Sequence, residues 1–329
     1  MDLRRVTLPA ALFGIVLGLS GLGNDWRVAA RLWGMPAWLG EAVMLVAGLV
    51  WLALMALYLQ KWLQRGDEAR AEVAHPIQCC FIALVPVSTM LMGNALLPHQ
   101  REAATALLVV GIVAALGFGV WRYGGTWKGG RSDAATTPVL YLPTVAANFV
   151  AAIGLGSFGW PEVGQLFFGA GLLAWLAIES VLLHRLLMGE EMPVALRPTL
   201  GIQLAPPSVG LLAYVSVTQG PPDLMAHMLL GYALLQVLLL GRLLRWIVQL
   251  PLSAYWGFSF GLTAVAAATL RLVERGGSEL LLGLGLVLFV IANVVVIGLS
   301  LATLSALFAG RLFPTVPAAP AAAPAAGGR

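Results

Sequence analysis

Charge is scarce in this 329-residue chain: Asp, Glu, Lys and Arg together make up 10% of it, against roughly a quarter in a soluble domain. Hydrophobic residues make up 60%. One water-soluble core cannot hide that much apolar surface, because globules keep a large part of their area exposed. A soluble enzyme, a disordered chain and a nucleic-acid binder are thereby excluded. Cysteine is nearly absent, with only Cys79 and Cys80, adjacent in an apolar run. Neighbours on a helix point about 100° apart, so a bridge between them would be strained, and no CxxC spacing offers a metal site. The four histidines, His75, His99, His184 and His227, are scattered at the ends of apolar runs, and none forms a metal-ligand pair at helical spacing. There is no nucleophile with a base, no phosphate loop, no paired catalytic carboxylates and no ATP-binding domain. No cofactor is implied. A membrane-embedded redox or enzymatic use of Cys79-Cys80 is one remaining alternative, and it lacks an acid–base cluster.

What is abundant is long apolar sequence. Charged clusters and turn residues cut the chain into ten runs, at about 7–24, 38–60, 76–97, 103–123, 138–159, 163–187, 198–219, 223–247, 251–272 and 279–309, each near the roughly 20 residues that span a bilayer as helix. The runs are continuous rather than alternating, so they predict helices and not barrel strands. The start, Arg4-Arg5 followed by an apolar run, resembles a signal peptide; the span count reads it as a retained first helix. Alternating the loops from side to side puts fourteen of the nineteen basic residues on the side of the N-terminus and five on the other. The positive-inside rule then places both termini in the cytoplasm and requires an even number of spans. With acidic residues included, the cytoplasmic side carries +7, the outer side −2 and the interior Glu179 −1, which together give the chain's +4, so the cytoplasmic mouth of any pathway is expected to concentrate anions.

Odd and even runs differ in kind. Odd runs begin at a proline, namely Pro9, Pro76, Pro138, Pro198 and Pro251, and several are broken again by Pro86, Pro143 or Pro206-Pro207. The first carries Gly14, Gly18, Gly21 and Gly23 instead. Runs 2, 4, 8 and 10 contain no proline and are rich in Leu, Val and Ala. The pattern is a helical hairpin repeated five times. Broken helices are tolerated at membrane depth when packed in protein or lining a watery cavity, so the economical arrangement puts five broken helices inside and five intact ones against lipid. Gly and Pro can also serve simply as close-packing positions. Residues 1–313 form this membrane domain, and the Ala/Pro/Gly-rich segment 314–329 reads as a disordered cytoplasmic tail.

Eight to ten residues beyond the leading prolines lie Gly18, Pro86, Asn148, Pro206-Pro207 and Phe260-Gly261, about 13 Å along a helix and near the bilayer midplane. Phe260, between Gly257 and Gly261, either packs or plugs a pathway as an apolar constriction. Hydroxyl and amide groups on the odd runs, such as Ser20, Thr144, Asn148 and Thr263, can meet an ion or glue helices together. No Lys or Arg falls at mid-depth, which predicts no tight fixed-charge anion site. Glu179 is the one clear interior charge. It is either a proton site or a structural carboxylate bonded to a neighbouring helix or to Arg185.

The stretches LPAALFGIVLGLSGLG from Leu8, AEVAHP from Ala71, TTPVLYLPTVAANF from Thr136, LAWLAIE from Leu173, LRPTLGIQLAPP from Leu196 and YWGFSFG from Tyr255 resemble the tellurite-resistance/dicarboxylate transporter family. Plant guard-cell slow anion channels and fungal malate and sulfite transporters are its more distant relatives. Pro207 departs from the family pattern, which has alanine there. The resemblance implies an all-α polytopic membrane protein of ten transmembrane helices, arranged as five hairpins with quasi-five-fold symmetry around a central pore. It further implies a homotrimer with one pore per subunit, in the inner membrane of a bacterium, passing small anions (chloride, nitrate, oxyanions or dicarboxylates) without ATP. It places the gating phenylalanine at Phe260, with Phe13, Gly14, Gly18, Pro86, Pro143, Asn148, Pro206, Gly257 and Gly261 lining the pore. A proton-coupled carrier of dicarboxylates or oxyanions such as tellurite, working through Glu179, is the alternative.

Overall fold

The computed structural model describes residues 8–313; the pair Arg4-Arg5 and the segment 314–329 lie outside them. Twelve α-helices follow one another among the described residues. They are α1 Gly14–Trp33, α2 Ala37–Gln64, α3 Gly66–Ala74, α4 Gln78–Phe81, α5 Leu84–Leu96, α6 Arg101–Thr126, α7 Ala147–Ser157, α8 Pro161–Met188, α9 Ala205–Val217, α10 Leu224–Ile247, α11 Ser259–Glu274 and α12 Glu279–Phe308. Nine stretches among the described residues are long and apolar enough to cross a membrane. The chain is a multi-pass, all-α membrane protein. The helix Ala10–Trp33 is not one of the nine, because its second half carries Asn24, Asp25, Arg27 and Arg31.

Each proline-led run enters through backbone that is not regular α-helix. Ala10–Phe13 is a 3-10 turn ahead of α1. The short α4 and a turn precede α5. Pro138–Tyr141 is 3-10 and Leu142–Ala146 a π turn before α7. Val194–Leu204 is 3-10 before α9, and Leu252–Ala254 and Trp256–Phe258 are 3-10 before α11. Proline supplies no N–H and crowds the carbonyl four residues back, so the regular ladder cannot run through these segments.

Burial separates the two kinds of helix. In the spans ending in α5, α7, α9 and α11, 67–89% of residues are buried, against 22–33% in α2, α6, α8, α10 and α12. The second group presents leucine and valine outward, as at Leu45, Leu166, Leu238 and Leu301. Such an exposed apolar belt is stable only in lipid. Each inner helix pairs with the long helix that follows it. The inner helices also touch one another in the closed order α1–α5–α7–α9–α11–α1. Small residues permit that closure. A Cβ on Gly18 would fall 2.7 Å from Ser259 Cβ, and one on Gly21 2.7 Å from Thr263 Cβ, so α1 and α11 approach at glycine-only spacing.

The first helix runs nine residues beyond the expected end at 24 and stops only where Gly34 takes φ +66° ahead of Pro36. Its charges are accommodated rather than expelled. Arg27 makes a two-pronged bond to Glu41 (2.8 and 2.8 Å), and Arg31 pairs with Glu274 (3.0 Å). The Trp26 indole donates to Asn293 of α12 (2.9 Å). At the ends where α1, α5 and the other inner helices begin (the leading ends), Lys61 and Glu72 also depart from a loop-like reading. They are buried and paired at 2.8 Å, and Glu72 accepts from the Ala10 backbone N–H (2.8 Å) and the Tyr58 hydroxyl (3.1 Å). This fixes α3 against the start of the first inner helix.

Candidate functional site

At the opposite, trailing ends of the inner helices lies a cavity of about 260 Å³ to which all five contribute. Ser20, Gly21, Asn24, Arg27 and Arg31 of α1 face it, with Asn94 of α5, Ser157 of α7, Leu212 of α9, and Phe260, Thr263, Ala267 and Arg271 of α11. Phe260 is the second residue of α11 and Arg271 lies eleven residues further on, about 16 Å at the helical rise. The cavity therefore extends from a buried aromatic ring, 8% exposed, to a guanidinium.

Its polar groups are unequally available. The Ser20, Ser157 and Thr263 hydroxyls donate to carbonyls of their own helices, at Val16 (2.7 Å), Ile153 (2.9 Å) and Ser259 (3.1 Å). Arg27 and Arg31 are paired with Glu41 and Glu274. Arg271 donates to the Ser216 hydroxyl (2.9 Å) and has no carboxylate partner among the described residues. Both polar atoms of the Asn94 carboxamide are buried without a partner. The expectation that no Lys or Arg falls at mid-depth concerns another level: Arg271 stands in the last turn of α11, beyond the positions counted from the leading proline. Asp25 is also fully buried, facing the Ala267 backbone with neither carboxylate oxygen in a hydrogen bond.

Arginines also cap the ends of these helices. Arg27 donates to the Ala95 carbonyl (2.8 Å), Arg101 to that of Phe158 (3.0 Å), and Arg275 to those of Val215 and Thr218. The last carbonyls of a helix carry partial negative charge and lack intrahelical donors, and a cation there satisfies both needs.

Of the residues named from sequence, Phe260 faces this cavity. Phe13 is buried edge-on against Tyr58 of α2, with ring centres 5.8 Å apart. Gly14 and Gly18 lie against Trp256 and Ser259. Pro86 is buried, with its carbonyl 3.0 Å from where a Cβ on Gly111 of α6 would lie. Pro143 and Asn148 line a separate crevice with residues of α6 and Phe167 of α8. Pro206 is buried at the start of α9. Gly257 approaches the Pro198 carbonyl, and Gly261 approaches Leu204 and Ala205. Arg271, Asn24 and Asn94 went unnamed, although polar groups in the trailing half of a proline-led span were a legible signal.

Glu179 lies elsewhere, in a closed cluster. Its carboxylate accepts from Trp175 of its own helix (3.0 Å), Tyr141 before α7, Gln203 before α9 (2.9 and 3.0 Å) and Tyr232 of α10 (2.5 Å). Arg185 does not reach it, donating instead to the carbonyls of Asp133 (2.9 Å) and Glu190 (2.7 Å). Cys79 and Cys80 are buried free thiols.

The family model for the voltage-dependent anion channel matches residues 7–304. The chain belongs to that family. It is 37% identical over 308 residues to the tellurite resistance protein TehA homolog of Haemophilus influenzae, covering 93% of each chain. It is also similar to two Arabidopsis thaliana proteins, the S-type anion channel SLAH3 (26% over 320 residues) and the guard cell S-type anion channel SLAC1 (25% over 329 residues). Those alignments take in 93% of this chain but only 49% and 57% of the plant proteins, so the chain spans about half the length of these plant relatives.

Proposed function

We propose that the chain is an anion channel of the bacterial inner membrane, with ten spans paired as five hairpins in quasi-five-fold order around a central pathway that Phe260 closes at rest. The observation that carries this reading is the cavity shared by all five inner helices, bounded at its inner extent by a buried phenylalanine. The descriptions of the plant relatives as anion channels support an anion as cargo, and the name of the Haemophilus relative extends the set to oxyanions such as tellurite. Chloride, nitrate, oxyanions and dicarboxylates are the candidate substrates. An apolar ring across a narrow path excludes water and so opposes a hydrated ion. The flanking Gly257 and Gly261 carry no side chains that would add to the obstruction. Both termini face the cytoplasm on the basic-residue count, and the protein works as a homotrimer with a path in each subunit.

The experiment is conductance of the purified protein in planar bilayers. Phe260→Ala removes the ring, and each 1.4 kcal/mol taken from the barrier raises flux about tenfold. A large rise in anion current is expected. Unchanged current from folded Phe260→Ala protein sinks the gate assignment. The second reading, a proton-coupled carrier, requires uphill uptake into proteoliposomes, which a channel never performs; that measurement separates the two. The full hydrogen-bonding of Glu179 favours its structural role over coupling.

A further inference from the structure

We infer that the trailing-end cavity is an equilibrium binding site for one small monovalent oxyanion, held by the Arg271 guanidinium together with the carboxamides of Asn24 and Asn94. Charge selects the valence. Arg27 and Arg31 are each matched by a carboxylate, at 2.8 and 3.0 Å, which leaves Arg271 as the unmatched cation of the cavity wall among the described residues. A single net positive charge in a confined space stabilises one negative charge and disfavours a second. Geometry selects the class. Arg271 spends one nitrogen on Ser216, and a planar guanidinium with N–H groups to spare matches two oxygens of one anion.

Asn94 is the independent observation. Both atoms of its carboxamide are buried, without a partner, at the wall of the same cavity. Such groups are costly to leave unpaired, and an anion accepting from the Nδ2 hydrogens removes that cost. Asn24 lines the same cavity from α1, and its side chain makes no hydrogen bond within the protein among the described residues. The serine and threonine hydroxyl hydrogens are committed to helix carbonyls, so the two amides and Arg271 are the donors left for a ligand. A volume of about 260 Å³ admits a nitrate-sized ion with several waters at about 30 Å³ each. The site's place on a conduction path rests on the reading above; binding itself does not.

The test is nitrate titration of the thermal unfolding midpoint of the full chain in detergent, at constant ionic strength against a bulky buffer anion. A ligand that binds only the native state raises that midpoint saturably. The wild type is expected to show saturable stabilisation. In Arg271→Gln the half-saturating nitrate concentration should rise about tenfold or more, the equivalent of 1.4 kcal/mol. Arg242→Gln, on the exposed face of α10, should titrate like wild type. If Arg271→Gln does not fold, Arg271→Lys and Asn94→Ala carry the test: the first keeps the charge without the fork, and the second removes the amide. Absence of saturable stabilisation in the wild type, or wild-type titration in the Arg271 and Asn94 variants, overturns the site. A protein that binds nitrate through Arg271 yet never conducts would refute the channel and leave the site standing.

Discussion

At the residue scale, two buried carboxylates illustrate how neighbours determine what a charge does. Glu179 was legible as an interior charge, yet its use was not. Its partners Tyr141, Gln203 and Tyr232 come from three segments up to 53 residues away. With five donated bonds in place, its carboxylate ties the third hairpin to the fourth. Glu179→Gln replaces an acceptor-only group with one that must also donate, among donors. A loss of about 1–3 kcal/mol in stability is expected, measured as a lower unfolding midpoint, with the reversal potential for any conducted anion unchanged. A shifted reversal potential or lost uphill transport with intact stability would instead restore the proton-site reading. Glu72 shows the opposite case. It reads as a loop residue, but the fold buries it on Lys61 and the Ala10 N–H.

At the element scale, proline position and glycine spacing account for the inner helices. The leading prolines were visible in sequence, and the segments they head are 3-10, π or broken turns as backbone chemistry requires. Glycine also sets how closely these helices approach. Gly18, expected from sequence to line a pathway, packs against α11. Its neighbour Gly21 provides the sharper test, because a methyl there would meet Thr263 at 2.7 Å from Cβ to Cβ. Gly21→Ala should cost about 1–3 kcal/mol by overpacking. Thr263→Gly in the same chain should recover most of the loss, as a double-mutant cycle of thermal midpoints would read it. Additive losses would mean that α1 and α11 adjust independently at this contact.

At the scale of the whole molecule, the division into buried and lipid-facing helices follows from composition, while the proposed direction of the bundle in the membrane rests on the count of basic residues. Single cysteines placed at Lys128 and at Glu162, in a chain with Cys79 and Cys80 replaced, should react with impermeant thiol reagent from opposite sides of the membrane. The first should be cytoplasmic and the second external. Labelling of both from one side would contradict an odd number of crossings between them. The same bias led to an expectation of a weakly negative outer side, which counted charges without pairing them. The folded chain neutralises Arg27 and Arg31 locally and leaves Arg271 unmatched, so the net count of a surface did not give the field inside the cavity beneath it.

The amino-acid sequence by itself determined the solvent, the helical class and the alternation of broken with intact spans, because each is written in local composition and period, and its particular motifs carried the family. Only the tertiary structure decided which polar groups find partners. Whether Glu179 is satisfied, Glu72 buried, or Arg271 and Asn94 left open depends on which side chains from distant segments arrive at the same place. Distance between helices, unlike hydropathy along one, is set by packing and has no local signature in the chain.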